Sequence, residues 1–267
     1  LFYKIADGST KHENPLDSDI TDSDEGWTWY KNAHEPYAAN TLVLDSLDVK
    51  TSNAIAIKLP ADSTVALVDG SVNTVRSTAT SQAYTYGIYS IGSLLVKGRG
   101  TLTAAGGSES TSISAGIAAE GNLTIASGII NASAGRMSSR SVGIYSPASV
   151  NISGGTVTAF GAVNTSESYG IYAGTTAVFS GGTTYAKSDV IGTTSYSCYA
   201  ASSIQDNGML VLERDNWMNY TIEAAKTNSN NAWYYTSGGG NAISKDTKIV
   251  KNIAASATVS DKTLTGM

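Results

Sequence analysis

A four-residue phrase returns along this chain at an almost constant interval, and nothing else in the sequence restricts its fold so sharply. Tyr86-Gly87-Ile88-Tyr89, Ala115-Gly116-Ile117-Ala118, Val142-Gly143-Ile144-Tyr145 and Tyr169-Gly170-Ile171-Tyr172 follow one another at spacings of 29, 27 and 27 residues. One more step of 27 reaches Tyr196-Ser197-Cys198-Tyr199, a degenerate version, and Asn53-Ala54-Ile55-Ala56 reads as a looser one upstream. Self-similarity at a fixed period marks a stack of repeated units, each burying the face of its neighbour.

Two further short segments follow each phrase. The second reads Leu94-Leu95-Val96, Leu123-Thr124-Ile125, Val150-Asn151-Ile152 and Ala177-Val178-Phe179, with Val65-Ala66-Leu67 preceding the set at an offset of 29. The third reads Thr101-Leu102-Thr103-Ala104, Ile129-Ile130-Asn131-Ala132, Thr156-Val157-Thr158-Ala159 and Thr183-Thr184-Tyr185-Ala186. Apolar residues alternate with polar ones inside these segments, the two-residue period of a strand. Glycines 98, 100, 128, 154, 155, 181 and 182 separate the second segment from the third, where a tight corner needs positive φ.

Short strands, glycine corners and a fixed period exclude a helical solenoid. They predict an all-β chain: a single-stranded right-handed parallel β-helix with three strands per coil of about 27–29 residues. Equivalent positions would stack at about 4.8 Å. Ile88, Ile117, Ile144, Ile171 and Cys198 form one expected inward ladder, and Val96, Ile125, Ile152 and Phe179 another. An antiparallel sandwich also has short strands, but it would not produce position-by-position ladders. One domain is expected over 1–267: an irregular N-terminal cap over 1–40, regular coils over 41–200, and a degenerate coil with a C-terminal cap over 201–267. Trp27, Trp29, Leu42, Leu44, Leu47 and Val49 suit the cap and first coil. Met209–Leu212, Trp217, Tyr220, Trp233, Tyr234 and Tyr235 suit the closing segment. The longer connections, 106–112, 134–141 and 161–168, fall at one place in every coil and so line one edge.

Charge then narrows the function. Only 15% of the 267 residues are charged, the formal net charge is −5, and no Lys/Arg cluster occurs. Nucleic acid is excluded as a partner, because phosphate backbones require concentrated cation. No stretch approaches about 18 consecutive apolar residues, so no transmembrane segment is expected. The single cysteine, Cys198, cannot form an internal disulfide and sits on an inward ladder position.

A catalytic carboxylate pair is not apparent. Between Tyr84 and Tyr199 only Glu109, Glu120, Glu167 and Asp189 occur. Glu109, Glu167 and Asp189 read as loop residues and Glu120 as a turn residue, none at matching strand positions. No catalytic residue is therefore assigned. His12 and His34 fit no metal motif. Asp17, Asp19, Asp22 and Asp24, in the acidic run ending at Glu25, are weak candidate calcium ligands; they lack an EF-hand pattern, and a solvated acidic loop explains them as well. No cofactor is expected unless calcium binds there.

One feature goes beyond architecture. Strict alternation from Ile88 outward places Tyr89, Tyr145, Tyr172 and Tyr199 on the surface, with Ala118 interrupting the row. Gly87, Gly116, Gly143, Gly170 and Ser197 would lie outward beside them, forming a flat uncharged groove. Aromatic faces beside hydroxyls suit sugar rings, so these four tyrosines are the candidate ligand-binding residues. Stacked aromatics also stabilise parallel coils on their own, which is the competing explanation.

The repeat resembles right-handed β-helix proteins of the pectate-lyase-like superfamily. It looks closest to repeats in secreted proteins of anaerobic gut bacteria, in which phrases like SVGIYSPASVNISGGTVTAF, here 141–160, recur. The opening Gly26-Trp27-Thr28-Trp29 leading to Thr41-Leu42-Val43-Leu44-Asp45 also resembles the start of those domains. The resemblance covers roughly 26–190. It implies a secreted protein of the bacterial cell surface, and a related non-catalytic group binds acidic plant polysaccharide with calcium. No binding residue carries over from that group. The expectation is a non-catalytic carbohydrate-binding or adhesin-like protein, a monomer whose partner is a polysaccharide or other glycan. A structural stalk and a polysaccharide lyase or hydrolase are the alternatives.

Overall fold

The computed structural model describes residues 2–3, 11–12, 19–22, 26–136, 138–164, 166–190, 194–206, 225–229, 232–236, 241–243 and 247–250. The described strands form three continuous sheets that stack into a parallel β-solenoid of about six turns, with no helix among the described residues. Among the described residues no helix is long and apolar enough to cross a membrane.

The first sheet carries the repeated phrase. Its parallel strands are Ile55–Leu59, Tyr84–Ser90, Ile113–Ala119, Arg140–Ser146, Glu167–Ala173 and Thr194–Ala200. The second begins at Thr41–Leu44 and climbs through Leu94–Gly98, Leu123–Ile125 and Val150–Ile152 to Ser203–Asp206. The third runs from Asp48–Thr51 to Thr183–Val190. Each strand pairs with its counterpart one coil away, as Ile88 with Ile117, Ile117 with Ile144, and Ile144 with Ile171.

The expected ladders fill the interior. Ile88, Ile117, Ile144, Ile171 and Cys198 are fully buried, as are Val96, Ile125 and Ile152, and Phe179 closes that column. Burial drives the cysteine thiol pKa upward, which keeps it an inert core group. Trp27 and Trp29 lie on the strand Trp27–Tyr30, which pairs antiparallel with Thr41–Leu44 and seals one end of the core. At the other end, Asn241–Ile243, Ala232–Thr236 and Thr247–Val250 pair antiparallel with the last strand of the first, second and third sheets. The aromatic segment Trp233–Tyr235 therefore belongs to a capping strand. Met209–Leu212, Trp217 and Tyr220 lie outside the described residues.

Three expectations are corrected. The first coil is registered differently: Ile57, not Ile55, stacks under Ile88, while Ile55 pairs with Tyr86. Ser63-Thr64-Val65, not Val65-Ala66-Leu67, pairs with Leu94-Leu95-Val96. The true offset is 31 in both cases. A slip of two residues preserves which face each side chain takes, so alternation cannot detect it. Secondly, Glu167 opens a strand and Asp189 lies within one, and the long connection at 161–168 does not exist. The strand Thr156–Asn164 instead continues past its usual end, pairing on with Ser188 and Val190 across a bulge. Thirdly, only one glycine per corner takes positive φ: Gly98, Gly128, Gly155 and Gly182.

Candidate functional site

The outer side of the first sheet holds a second hydrophobic cluster, separate from the solenoid core. Tyr86, Ile113, Ala115, Ala118, Val142 and Tyr169 are buried in it, and Tyr89, Tyr145, Tyr172, Tyr196 and Tyr199 pack against it half-buried. This arrangement corrects strict alternation. Tyr86 and Tyr89 are three positions apart, yet their rings stack with centroids 4.9 Å apart and planes within 8°. Both therefore point outward, and the two residues between them, Gly87 and Ile88, do not.

The glycines explain why. A Cβ on Gly143 would lie 2.4 Å from the backbone N of Phe160 and 2.7 Å from the carbonyl O of Gly170. On Gly116 it would lie 2.4 Å from Ser133 N. The glycine column faces the third sheet at van der Waals contact, and the strand changes parity there. The expected glycine strip beside the tyrosines is thus a buried packing seam. Ser197 continues it, also fully buried, with no hydrogen-bond partner for its hydroxyl.

Two aromatic columns result. One contains Tyr89, Ala118, Tyr145, Tyr172 and Tyr199 in register; the other contains Tyr86, Ala115, Val142, Tyr169 and Tyr196. The second column was invisible to alternation, although the tyrosines at the first place of each phrase were its signal. Tyr145 stacks on Tyr172 at 5.4 Å, and Tyr172 on Tyr199 at 5.1 Å. Rings in that run use their faces on one another and offer edges and hydroxyls outward. The run stops at Ala118.

Around that interruption lies a concavity of about 740 Å³. Tyr89 and Tyr145 line it; Tyr172 and Tyr199 do not. Tyr84 and Tyr86, which alternation did not single out, also line it; Tyr84 is 52% exposed, and its ring stacks on that of Tyr86 with centroids 6.3 Å apart. The surface is not uncharged. Lys58, Glu120, Arg140 and Glu167 all reach it. The Tyr89 hydroxyl donates to Glu120 Oε1 at 2.9 Å, and Arg140 Nε donates to Glu167 Oε2. The Arg140 guanidinium also lies 5.1 Å from the Tyr172 ring centre. Ser112, Ser139 and Ser166, each just before a first-sheet strand, complete one margin.

Burial, then the Glu120 hydrogen bond, pushes the Tyr89 phenol up to about 12. Burial also raises Tyr86, Tyr145 and Tyr169. For Arg140, burial opposes the charge, but the Glu167 hydrogen bond and charge outweigh it and raise the pKa. At neutral pH the Tyr86, Tyr89, Tyr145 and Tyr169 phenols are therefore protonated, and Arg140 stays charged against Glu167.

Asp19 is held within the N-terminal segment. One of its oxygens accepts from Lys31 N and Asn32 N at 2.7 and 3.1 Å; the other meets His34 Nε2 at 2.9 Å. The Asn32 bond leads in lowering its pKa. Asp22 closes the strand Ile20–Asp22, and Asp17 and Asp24 lie outside the described residues. Among the described residues no three His, Cys, Asp or Glu side chains come together. No protein-family model, no curated protein and no solved structure matches this chain.

Proposed function

We propose that this chain is a non-catalytic glycan-binding protein and that the concavity over the first sheet is its binding face. The observation that carries the reading is the convergence of Tyr84, Tyr89 and Tyr145 with hydroxyls and an ion pair in one open depression. Aromatic rings bind the apolar faces of sugars, and paired charged groups bind their hydroxyls. Binding rather than bond cleavage is supported by the commitment of the acidic groups: Glu167 holds Arg140, and Glu120 accepts from Tyr89.

The resemblance to secreted β-helix proteins of the pectate-lyase-like superfamily supports a right-handed coil and a bacterial-surface setting. That part of the reading rests on the repeat phrases. Antiparallel strands cover both ends of the second sheet and the far ends of the first and third, which supports a monomer, since an uncovered parallel edge invites another chain. A stalk is the second reading, favoured by the Tyr145–Tyr172–Tyr199 run, whose rings already satisfy one another.

A glycan array probed with the purified chain, with and without added calcium, tests the proposal. Reproducible retention that Tyr89→Ala and Tyr145→Ala abolish, with folding checked by melting, is the expected result. A blank array with folded protein sinks it and leaves the stalk.

A further inference from the structure

We propose that the concavity takes an uncharged glycan chain lying along the solenoid axis, in preference to a polyuronate or a sulfated polymer. This deepens the glycan-binding reading and rests on it. The lining holds two cations, Lys58 and Arg140, and two carboxylates, Glu120 and Glu167, so its charge is balanced. The guanidinium of Arg140 is engaged by Glu167 and lies over the Tyr172 ring. A ligand carboxylate approaching Arg140 competes with Glu167 and meets the like charges of Glu167 and Glu120. A sugar hydroxyl does neither. It can accept from Arg140 and donate to Glu167 at once, because a hydroxyl is donor and acceptor together.

The margin is also periodic. Ser112, Ser139 and Ser166 recur every 27 residues, and coil stacking sets such equivalents in line about 4.8 Å apart. Beside them run the two tyrosine columns, parallel to the same axis. Those serines beside the rings of Tyr84, Tyr89 and Tyr145 match a polymer of repeating rings and hydroxyls. The lining gives no concentrated cation for a polyanion to find.

Affinity electrophoresis of the full chain in gels carrying a neutral β-glucan, a neutral galactan or polygalacturonate tests this, each at low and high NaCl. The expected result is retardation by a neutral polymer, with affinity changing less than about two-fold with salt, since no ligand charge is screened. Retardation by polygalacturonate alone, weakening with salt, overturns the inference and leaves glycan binding intact. Retardation by none of the three at either salt overturns the glycan-binding reading itself. Glu167→Gln sharpens the test, because it leaves the ion pair broken and Arg140 open to a carboxylate. Polygalacturonate affinity should then rise on the order of tenfold while neutral binding falls. If the folded variant gains nothing for polygalacturonate, Arg140 and Glu167 do not select the ligand.

Discussion

The two sides of the first sheet are built from the same strands and obey different rules. Inside, the ladder at Ile88 keeps one size of side chain through Ile117, Ile144 and Ile171, and every member is fully buried. Outside, the column at Tyr89 mixes tyrosine with alanine and remains half open. The interior must be filled to close packing at every level, so substitution there is restricted. The outside only needs enough contact to hold its rings in place. A position free of packing demands can be spent on recognition, and the concavity lies where the tyrosine column lapses at Ala118.

The comparison can be broken most forcefully from within. Ile144→Asp buries an unpaired charge in the ladder and should cost more than about 4 kcal/mol, enough to prevent folding, as read by circular dichroism and denaturant titration. Gly143→Ala comes next. Its methyl meets backbone on two sides, so a loss of about 1–3 kcal/mol or more is expected in the same titration. If that variant melts like the parent, the seam between first and third sheets is not as tight as described.

The outer face should respond less. Tyr172→Ala removes a half-buried ring with a stacked neighbour on each side and should cost about 1–2 kcal/mol. A double-mutant cycle of Tyr145 and Tyr172 should return a coupling of about 0.5–1.5 kcal/mol; a value near zero would make the stack ornamental. Arg140→Gln should cost at most about 1 kcal/mol of stability, since both partners of its ion pair are about one-third exposed.

The smallest effect is a titration. Tyr89 has its phenol pKa raised by folding to about 12, so the folded state holds a proton that the unfolded chain releases near the ordinary tyrosine value. The resulting stabilisation is complete below that ordinary value and is lost as pH climbs through about 12. Melting followed across that alkaline window should show a shallower decline in Tyr89→Phe than in the parent. Equal slopes would mean that burial and the Glu120 hydrogen bond together do not hold the Tyr89 proton in the folded state.

Much of this was legible in the residues. The returning Gly-Ile pair and the interval of about 27 residues are enough to imply the stacked coils, the three strands and the inward ladders. The tryptophans of the N-terminal cap were legible for a simpler reason: two large apolar rings next to the first coil have nowhere else to be buried. The candidate site was legible only in half. Tyr89 and Tyr145 were reached by alternation, whereas Tyr84, Tyr86 and the Arg140–Glu167 pair were not, because alternation assumes that parity survives along the whole strand. It fails at Gly87 and its counterparts, and Glu167 was hidden by a connection that the chain does not make.

Periodicity and the alternation of apolar residues determined by themselves that this chain stacks into a parallel β-solenoid, because short alternating strands with glycine corners bury identical positions at a constant interval only when coil stacks on coil. Only the tertiary structure decided how the first coil registers, which strands lengthen, and which tyrosines share a face. Those outcomes depend on backbone hydrogen bonds and on the close approach of two sheets. A shift of two residues, or a glycine pressed against a neighbouring backbone, leaves the sequence pattern unchanged while moving a side chain to a new place.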